Sequence, residues 1–308
     1  MTIKRPLGIF VLCPVYFDVE SFIQLAAEIR RNVASSNFND RILKFIVVDD
    51  SAGSDSEITQ LKNLDDVDVV VAPFNMGHQK AIVYGLRNIC SQTDPADFVI
   101  TMDSDGEDLP SDVVPLLQAL ENDDQGAVVL AMRVSRSEPL LFRMMYQLFR
   151  VFFRLLTGLR IKTGNFAAQR AEQLSRTISN PLFDLCYSTS LIAMKRPIIY
   201  VPCHRGTRFA GESRMNKSSL ITHGIRMLLP FSERVVVRVL ALFSILALST
   251  FLSLLLLFVL GVVGVAITPA IWLLPLVLGI LATLSFFGFI CLYSSMIQIS
   301  SMSSKTLI

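Results

Sequence analysis

Charge is missing from the C-terminal end of this chain: residues 239–304 contain no Asp, Glu, Lys, Arg or His. As one helix this stretch would be about 100 Å long, roughly three times the ~30 Å of a bilayer's hydrocarbon core. Two spans fit far better, at about 235–263 and 271–298, joined by a short turn around Ala266–Ala270 with Thr268 and Pro269. So long an uncharged run argues against a pair of buried soluble helices. Cationic excess is also missing: the net charge is +2, too little to track phosphates along nucleic acid. The five cysteines (Cys13, Cys90, Cys186, Cys203, Cys291) lack paired metal spacing and read as small apolar residues in a reducing compartment. No secretory signal opens the chain, since Leu7–Pro14 is short and soon meets Asp18 and Glu20. The first apolar run ends in Cys13-Pro14-Val15-Tyr16 and not in a glycine-rich phosphate loop, which argues against a dinucleotide-dependent oxidoreductase.

The flanks of the apolar runs are mostly positive. Arg226, Arg234, Arg238 and Lys305 flank them, while the turn between the spans carries none. The positive-inside rule then predicts an integral protein of the cell inner membrane or its equivalent, with the large domain and both termini cytoplasmic.

The first half alternates strand-length apolar runs with helical stretches. Leu7–Val15, Lys44–Val48, Val67–Ala72, Phe98–Met102 and Ala127–Ala131 read as strands. Ser21–Val33, Ser56–Leu64, Gly77–Cys90 and Ser111–Glu121 read as helices. The alternation predicts an α/β fold, a mainly parallel sheet with helices on both faces. Ligands collect beyond the carboxyl ends of such strands, and the polar clusters fall there. They are Asp49-Asp50, Asn75 to Lys80, Asp103 to Asp108, and Arg133 to Arg136. From Pro139 to Leu159 apolar residues surround Arg143, Arg150 and Arg154. Two readings stay open: an amphipathic helix packed on the domain, or a basic interfacial helix lying against lipid.

The strongest chemical signal is Asp103-Ser104-Asp105 after the fourth run. Two carboxylates so spaced at a strand end can reach one hard cation, Mg²⁺ or Mn²⁺, which shares its other positions with substrate phosphates. Glu107 and Asp108 extend the cluster. Arg133 and Arg136, then Arg205, Arg208, Arg214 and Lys217 around Gly206 and Gly211, supply guanidinium forks suited to phosphate oxygens. His78 and His204 have no partner spacing and receive no metal role.

From Ile9 to about Ser213 the sequence resembles the family 2 glycosyltransferases with a GT-A fold. More narrowly, it resembles polyprenyl-phosphate glycosyltransferases and dolichol-phosphate mannose synthases. The matching pieces, in order, are Pro14-Val15-Tyr16 with Glu20; Val47-Val48-Asp49-Asp50-Ser51; Asn75-Met76-Gly77; and Asp103 through Pro110. Arg133 with Arg136, Gly164-Asn165-Phe166 with Arg170, and Arg208-Phe209-Ala210-Gly211-Glu212-Ser213-Arg214 complete the series. The resemblance implies that Pro14, Tyr16, Glu20, Asp49, Asp50, Asn75, Lys80, Asp103, Ser104 and Arg133 bind a UDP- or GDP-sugar. Asp103, Asp105 and Glu107 would hold the metal. Arg136, Arg208, Ser213 and Arg214 would hold the donor diphosphate and acceptor phosphate, with Asp105, Arg136, Asn165 and Arg208 at the reacting centre.

Departures qualify the match. Asn165 stands where close relatives usually have an Asp proposed as a base, and Glu107 where a Gln is usual. The turn Asp50–Asp55 is one residue longer than usual, and the region beyond the second span is short, without the basic tail often seen. The Gln-x-x-Arg-Trp motif of processive synthases is missing, and Trp272 is the single Trp. The expectation is therefore transfer of one sugar per event to a polyprenyl phosphate, undecaprenyl or dolichyl, with inversion. A glycerolipid or sphingolipid acceptor, or a silent nucleotide-sugar-binding protein, is the competing reading. The expected organisation is a catalytic domain over 1–217, a juxtamembrane segment over 218–234, the two spans within 235–300 and a tail over 301–308. Expected partners are membrane lipid, a separate flippase and a downstream glycosyltransferase; a homo-oligomer is compatible with the sequence, and nucleic acid is not expected.

Overall fold

The computed structural model describes residues 6–134, 140–210, 217–265 and 268–305. The chain runs β1 (Gly8–Val15), α1 (Val19–Ala34), β2 (Ile42–Asp49), β3 (Val67–Val71), α2 (His78–Ile89), β4 (Phe98–Thr101) and α3 (Val113–Glu121). It continues β5 (Val128–Arg133), α4 (Leu140–Thr157), β6 (Thr163–Arg170), α5 (Ala171–Thr177), α6 (Tyr187–Ala193) and β7 (Ile198–Cys203). Three helices close it: α7 (Lys217–Leu228), α8 (Ser232–Val262) and α9 (Leu273–Lys305). Two compact units result, Met1–Met145 with Ile161–Pro230, and Tyr146–Arg160 with Phe231–Ile308.

The first unit is built on a seven-stranded sheet in the order β3-β2-β1-β4-β6-β5-β7. All pairings are parallel except those of β6, which runs antiparallel between β4 and β5. Alternation along β1 shows why helices cover both faces. Ile9, Val11, Cys13 and Val15 enter one buried cluster with Phe22 and Leu25 of α1 and Leu116 and Leu117 of α3. Phe10 and Leu12 enter another with Ile82 and Leu86 of α2 and Leu191 of α6. The mainly parallel, doubly covered sheet expected from the sequence is what forms.

The expectation stopped at five strands. β6 escaped it because Thr163-Gly164-Asn165-Phe166-Ala167-Ala168-Gln169-Arg170 carries few β-branched residues; its neighbours on both sides make it a strand. β7 is the edge strand, with Pro202 in a run that is mostly half-exposed, and it lacks a continuous apolar signal. Ser56–Asn63 is a 3₁₀ segment and not an α-helix; the Asp55 side chain accepts from Glu57 N–H at its start.

In the second unit α8 and α9 form a hairpin whose turn includes the 3₁₀ segment Pro269–Trp272. Thr222–Val262 and Pro269–Cys291 are long and apolar enough to cross a membrane by length and composition. Phe251, Leu256, Phe258, Leu274 and Phe287 are each more than half exposed, an outward apolar surface that water does not favour. Residues 146–157 of α4 belong to the same unit. Phe153 is buried edge-on against Phe231, with ring centroids 5.6 Å apart. Arg238 Nη1 donates to the Leu155 and Arg154 carbonyls at 2.6 and 3.3 Å, capping the last turn of α4. Leu148, Phe152 and Leu155 remain exposed.

Candidate active site at the carboxyl edge of the sheet

The strand ends deliver two acidic turns to one edge. After β2, Asp49 is fully buried and spends both oxygens locally. Oδ1 accepts from the Ser51 N–H and hydroxyl (2.9 and 2.6 Å), and Oδ2 from Gly53 N–H (3.0 Å). Asp50 Oδ1 accepts from Met76 N–H at 2.7 Å, tying this turn to the one after β3. Burial lifts the Asp50 carboxyl above its ordinary range, against the Met76 and Gly77 N–H groups that favour its charge.

After β4 the chain turns through Asp103-Ser104-Asp105-Gly106-Glu107-Asp108, and here the carboxylates reach far along the sequence. Asp105 Oδ1 accepts from Glu107 N–H (2.9 Å), and Oδ2 from Arg208 Nη1 (3.0 Å). The same guanidinium donates from Nη2 to Asp18 Oδ2 (2.8 Å) and from Nε to the Ala210 carbonyl (3.1 Å). Glu107 pairs with Arg205, and Asp108 Oδ1 with Arg133 Nη2 at 3.1 Å. Backbone bonds from Gly206 N–H to the Glu107 carbonyl and from Phe209 N–H to the Asp105 carbonyl, both 2.9 Å, lay segment 205–209 along the turn. Gly106 is required: its φ is +85°, and a Cβ there would lie 2.5 Å from the Phe209 ring.

Electrostatics follow from this crowding. Burial, then the Asp103 charge, pushes the Asp105 carboxyl from 3.8 up to about 6. Asp108 is likewise raised, by burial and by Asp103. Asp103 goes the other way. Burial opposes its charge, but His78, Arg133 and the Asn165 amide outweigh it and hold it well below the usual carboxylate range. The His78 imidazole is raised: burial works against its charge, and Asp103, with Asp105 and Asp108 behind it, prevails.

His78 is the main residue that the sequence reading passed over. It was sought through His or Cys spacing, but its partners come from other strands. Nε2 lies 2.9 Å from Asp103 Oδ1 and 2.7 Å from Asn165 Nδ2. The carboxylate favours the charged imidazole, and the amide N–H the neutral one. His223 of α7 also lies within the field of His78 and Asp103. Burial, then His78 and Arg226, lower its pKa. Asp18 was named only as an early charge, yet it takes the second arm of Arg208.

The other expected residues distribute unevenly. Asp103, Asp105, Glu107, Arg133, Asn165 and Arg208 come together around the turn after β4, and Ser104 is buried within it. Pro14 ends buried on β1, and Tyr16 lies exposed beyond it with its ring edge-on to Phe17, 4.9 Å away. Glu20 and Lys80 are exposed. Asn75 Oδ1 accepts from Gly77 N–H at 3.1 Å. Arg136, Ser213 and Arg214 lie outside the described residues.

A divalent cation would meet a suitable donor set. Among the described residues no three His, Cys, Asp or Glu side chains already converge as a cage. Asp103 and Asp105 nevertheless offer hard carboxylate oxygens, and burial, then the Asp103 charge, disfavours the ionised Asp105 carboxyl that a cation would favour. Mg²⁺ and Mn²⁺ suit sites of that kind, with one or two carboxylates and the remaining positions left for water and phosphate.

The family model described as "Glycosyl transferase family 2" matches residues 13–179. No curated protein sequence matches the chain. Among solved structures, glucosyl-3-phosphoglycerate synthase from Mycobacterium tuberculosis with Mn²⁺, UDP-glucose and phosphoglyceric acid aligns with a TM-score of 0.52. Identity is 16%, over 74% of this chain and 80% of that one. The same synthase with phosphoglyceric acid aligns at 0.51, with the same identity and coverage. At that identity the likeness is one of fold.

Proposed function

Because the chain belongs to glycosyl transferase family 2, we propose that it transfers a single sugar, with inversion, from a UDP- or GDP-sugar to a polyprenyl phosphate. Its fold is GT-A, a seven-stranded mainly parallel sheet with helices, followed by two apolar helices able to span a membrane. One observation carries the reading. A turn of four carboxylates beside three arginines sits in a chain whose C-terminal helices expose apolar surface. A phosphate-handling site and a lipid anchor in one molecule suit a lipid phosphate as acceptor.

In this reading Tyr16, Glu20 and Asp50 line the nucleoside side, and Asp49 shapes the turn that carries them. Asp103 and Asp105, with Glu107, would hold a divalent ion whose charge offsets the negative charge growing on the leaving diphosphate. Arg133 and Arg208, with Arg136, Ser213 and Arg214, orient donor and acceptor phosphates through forked hydrogen bonds. A phosphate acceptor is already ionised at neutral pH, so a neutral Asn165 is compatible with turnover. The polyprenyl-phosphate branch of the family is the subtype that fits this set.

The domain is proposed to lie at the cytoplasmic face, as are both termini, with the catalytic part over 1–217, a juxtamembrane segment over 218–234 and the spans within 235–300. Of the two readings of α4 we favour the interfacial one. Its exposed Leu148, Phe152 and Leu155 share a unit with the apolar hairpin, and Arg150 and Arg154 would meet anionic headgroups. The short turn between spans leaves lipid flipping to another protein.

The test is a panel of radiolabelled nucleotide sugars with detergent-purified protein, undecaprenyl phosphate and Mn²⁺ or Mg²⁺. Label entering the organic phase, and lost with EDTA, is the expected result. Label on diacylglycerol or ceramide instead would redirect the acceptor, and no transfer to any lipid would overturn the reading.

A further inference from the structure

The Asn165 side chain is braced by Gln79, His78 and Asp103, and the bracing has a direction. Gln79, the second residue of α2, is buried. Its Oε1 accepts from Ser188 N–H and from Cys186 Sγ, both at 3.3 Å. A backbone N–H can only donate, so Gln79 must present its nitrogen on the other side. Nε2 donates there to Asn165 Oδ1 at 2.6 Å. That bond in turn fixes the Asn165 amide, whose Nδ2 faces Asp103 Oδ1 at 3.2 Å. The backbone of Asn165 is pinned separately. Thr101 Oγ1 donates to its carbonyl at 2.7 Å, and the Tyr187 hydroxyl, 3.0 Å from Thr101 Oγ1, donates to it in turn. Gln79 of α2 and Thr101 of β4 thus meet one β6 residue, backed in turn by Cys186 and by Tyr187 of α6, and all four are buried.

We propose that Gln79 is a positioning residue for the transfer reaction: held by α6, it locks the Asn165 amide with its N–H toward Asp103 and so fixes that carboxylate for the donor complex. The inference builds on the proposed function and deepens it, because Asp103 is one of the residues assigned to the metal and nucleotide. It also gives a physical reason for a neutral residue at 165. A carboxylate there would set an oxygen against Asp103 Oδ1 at 3.2 Å, whereas the amide adds a hydrogen bond and no charge. Were Gln79 unable to donate, the Asn165 amide could turn over and bring its own oxygen to Asp103.

The experiment measures Mn²⁺ affinity of the full-length, detergent-purified protein by electron paramagnetic resonance, with nucleotide absent. Thermal midpoints are followed in parallel. Gln79→Met keeps length and removes the donor; it is expected to weaken Mn²⁺ about tenfold, the scale of lost supporting contacts around a metal site. Asn165→Ala should lose a similar factor. The double variant should lose no more than either single one, since Gln79 acts through Asn165. Additive losses, or unchanged affinity in Gln79→Met or in Asn165→Ala, would overturn the proposal. Gln79→Glu reads the same step should Gln79→Met not fold, because it keeps the acceptor for Ser188 and cannot donate to Asn165. A wild-type protein that binds no Mn²⁺ would instead defeat the metal assignment itself, and this inference with it.

Discussion

Two acidic turns share the carboxyl edge of the sheet, and they are neutralised in opposite ways. In the turn after β2, Asp49 is met by Ser51 and Gly53, no more than four residues away, while Asp50 accepts from the Met76 N–H of the turn after β3. In the turn after β4, Arg208 meets Asp105 from 103 residues away, Arg205 meets Glu107 and Arg133 meets Asp108. Backbone N–H groups cannot leave a carboxylate without unfolding the turn, which suits a structural part for Asp49. Arginine side chains on separate segments can be exchanged for a cation or for substrate phosphates. What differs between Asp49 and Asp105 is how far along the chain their partners lie, and not acidity.

That contrast can be broken or sharpened. The largest effect is expected for Asp105→Asn, which should cut sugar transfer on the order of 100-fold or more, as losing electrostatic stabilisation of a developing charge does. Its thermal midpoint should hold or rise, because the change removes a carboxylate whose charge burial and Asp103 disfavour. Asp49→Asn should behave in the reverse sense. It sets an amide N–H₂ against the Gly53 or Ser51 N–H in a buried turn, at a cost of about 1–3 kcal/mol by denaturant unfolding. Once the variant is folded, its transfer rate should change far less than that of Asp105→Asn. The smallest effect is a pH dependence. In metal-free protein the Asp105 carboxyl titrates near 6, against 3.8 ordinarily, so between about pH 4 and 6 the folded state holds the extra proton. Stability should therefore fall as pH rises through that window. Asp103, held low, contributes in the opposite sense only below about pH 4. Saturating Mn²⁺ should flatten the slope; scanning calorimetry with and without it reads the difference.

Local patterns made much of this legible. Alternating apolar runs gave the parallel core, the uncharged 239–304 stretch gave the paired apolar helices, and Asp103–Asp108 stood out as four acids after a strand. What stayed hidden was long-range. β6 has little strand propensity of its own and is formed by its neighbours. His78 pairs with Asp103 and Asn165 across separate elements, so no spacing in sequence could display it. The local hydrogen bonds of Asp49 were hidden for the same reason: a strand-end acid reads alike in sequence whether or not its oxygens are taken up by its own turn.

The turn after β4 is proposed to be the cation- and diphosphate-binding end of this glycosyltransferase. Titrating Mn²⁺ into wild-type and Asp105→Asn protein, each with and without UDP and GDP, tests it most directly. Saturable Mn²⁺ binding to the wild type, tightened by one of the two nucleotides, is expected, with the loss of both effects in Asp105→Asn. Equal binding by the two proteins would contradict it.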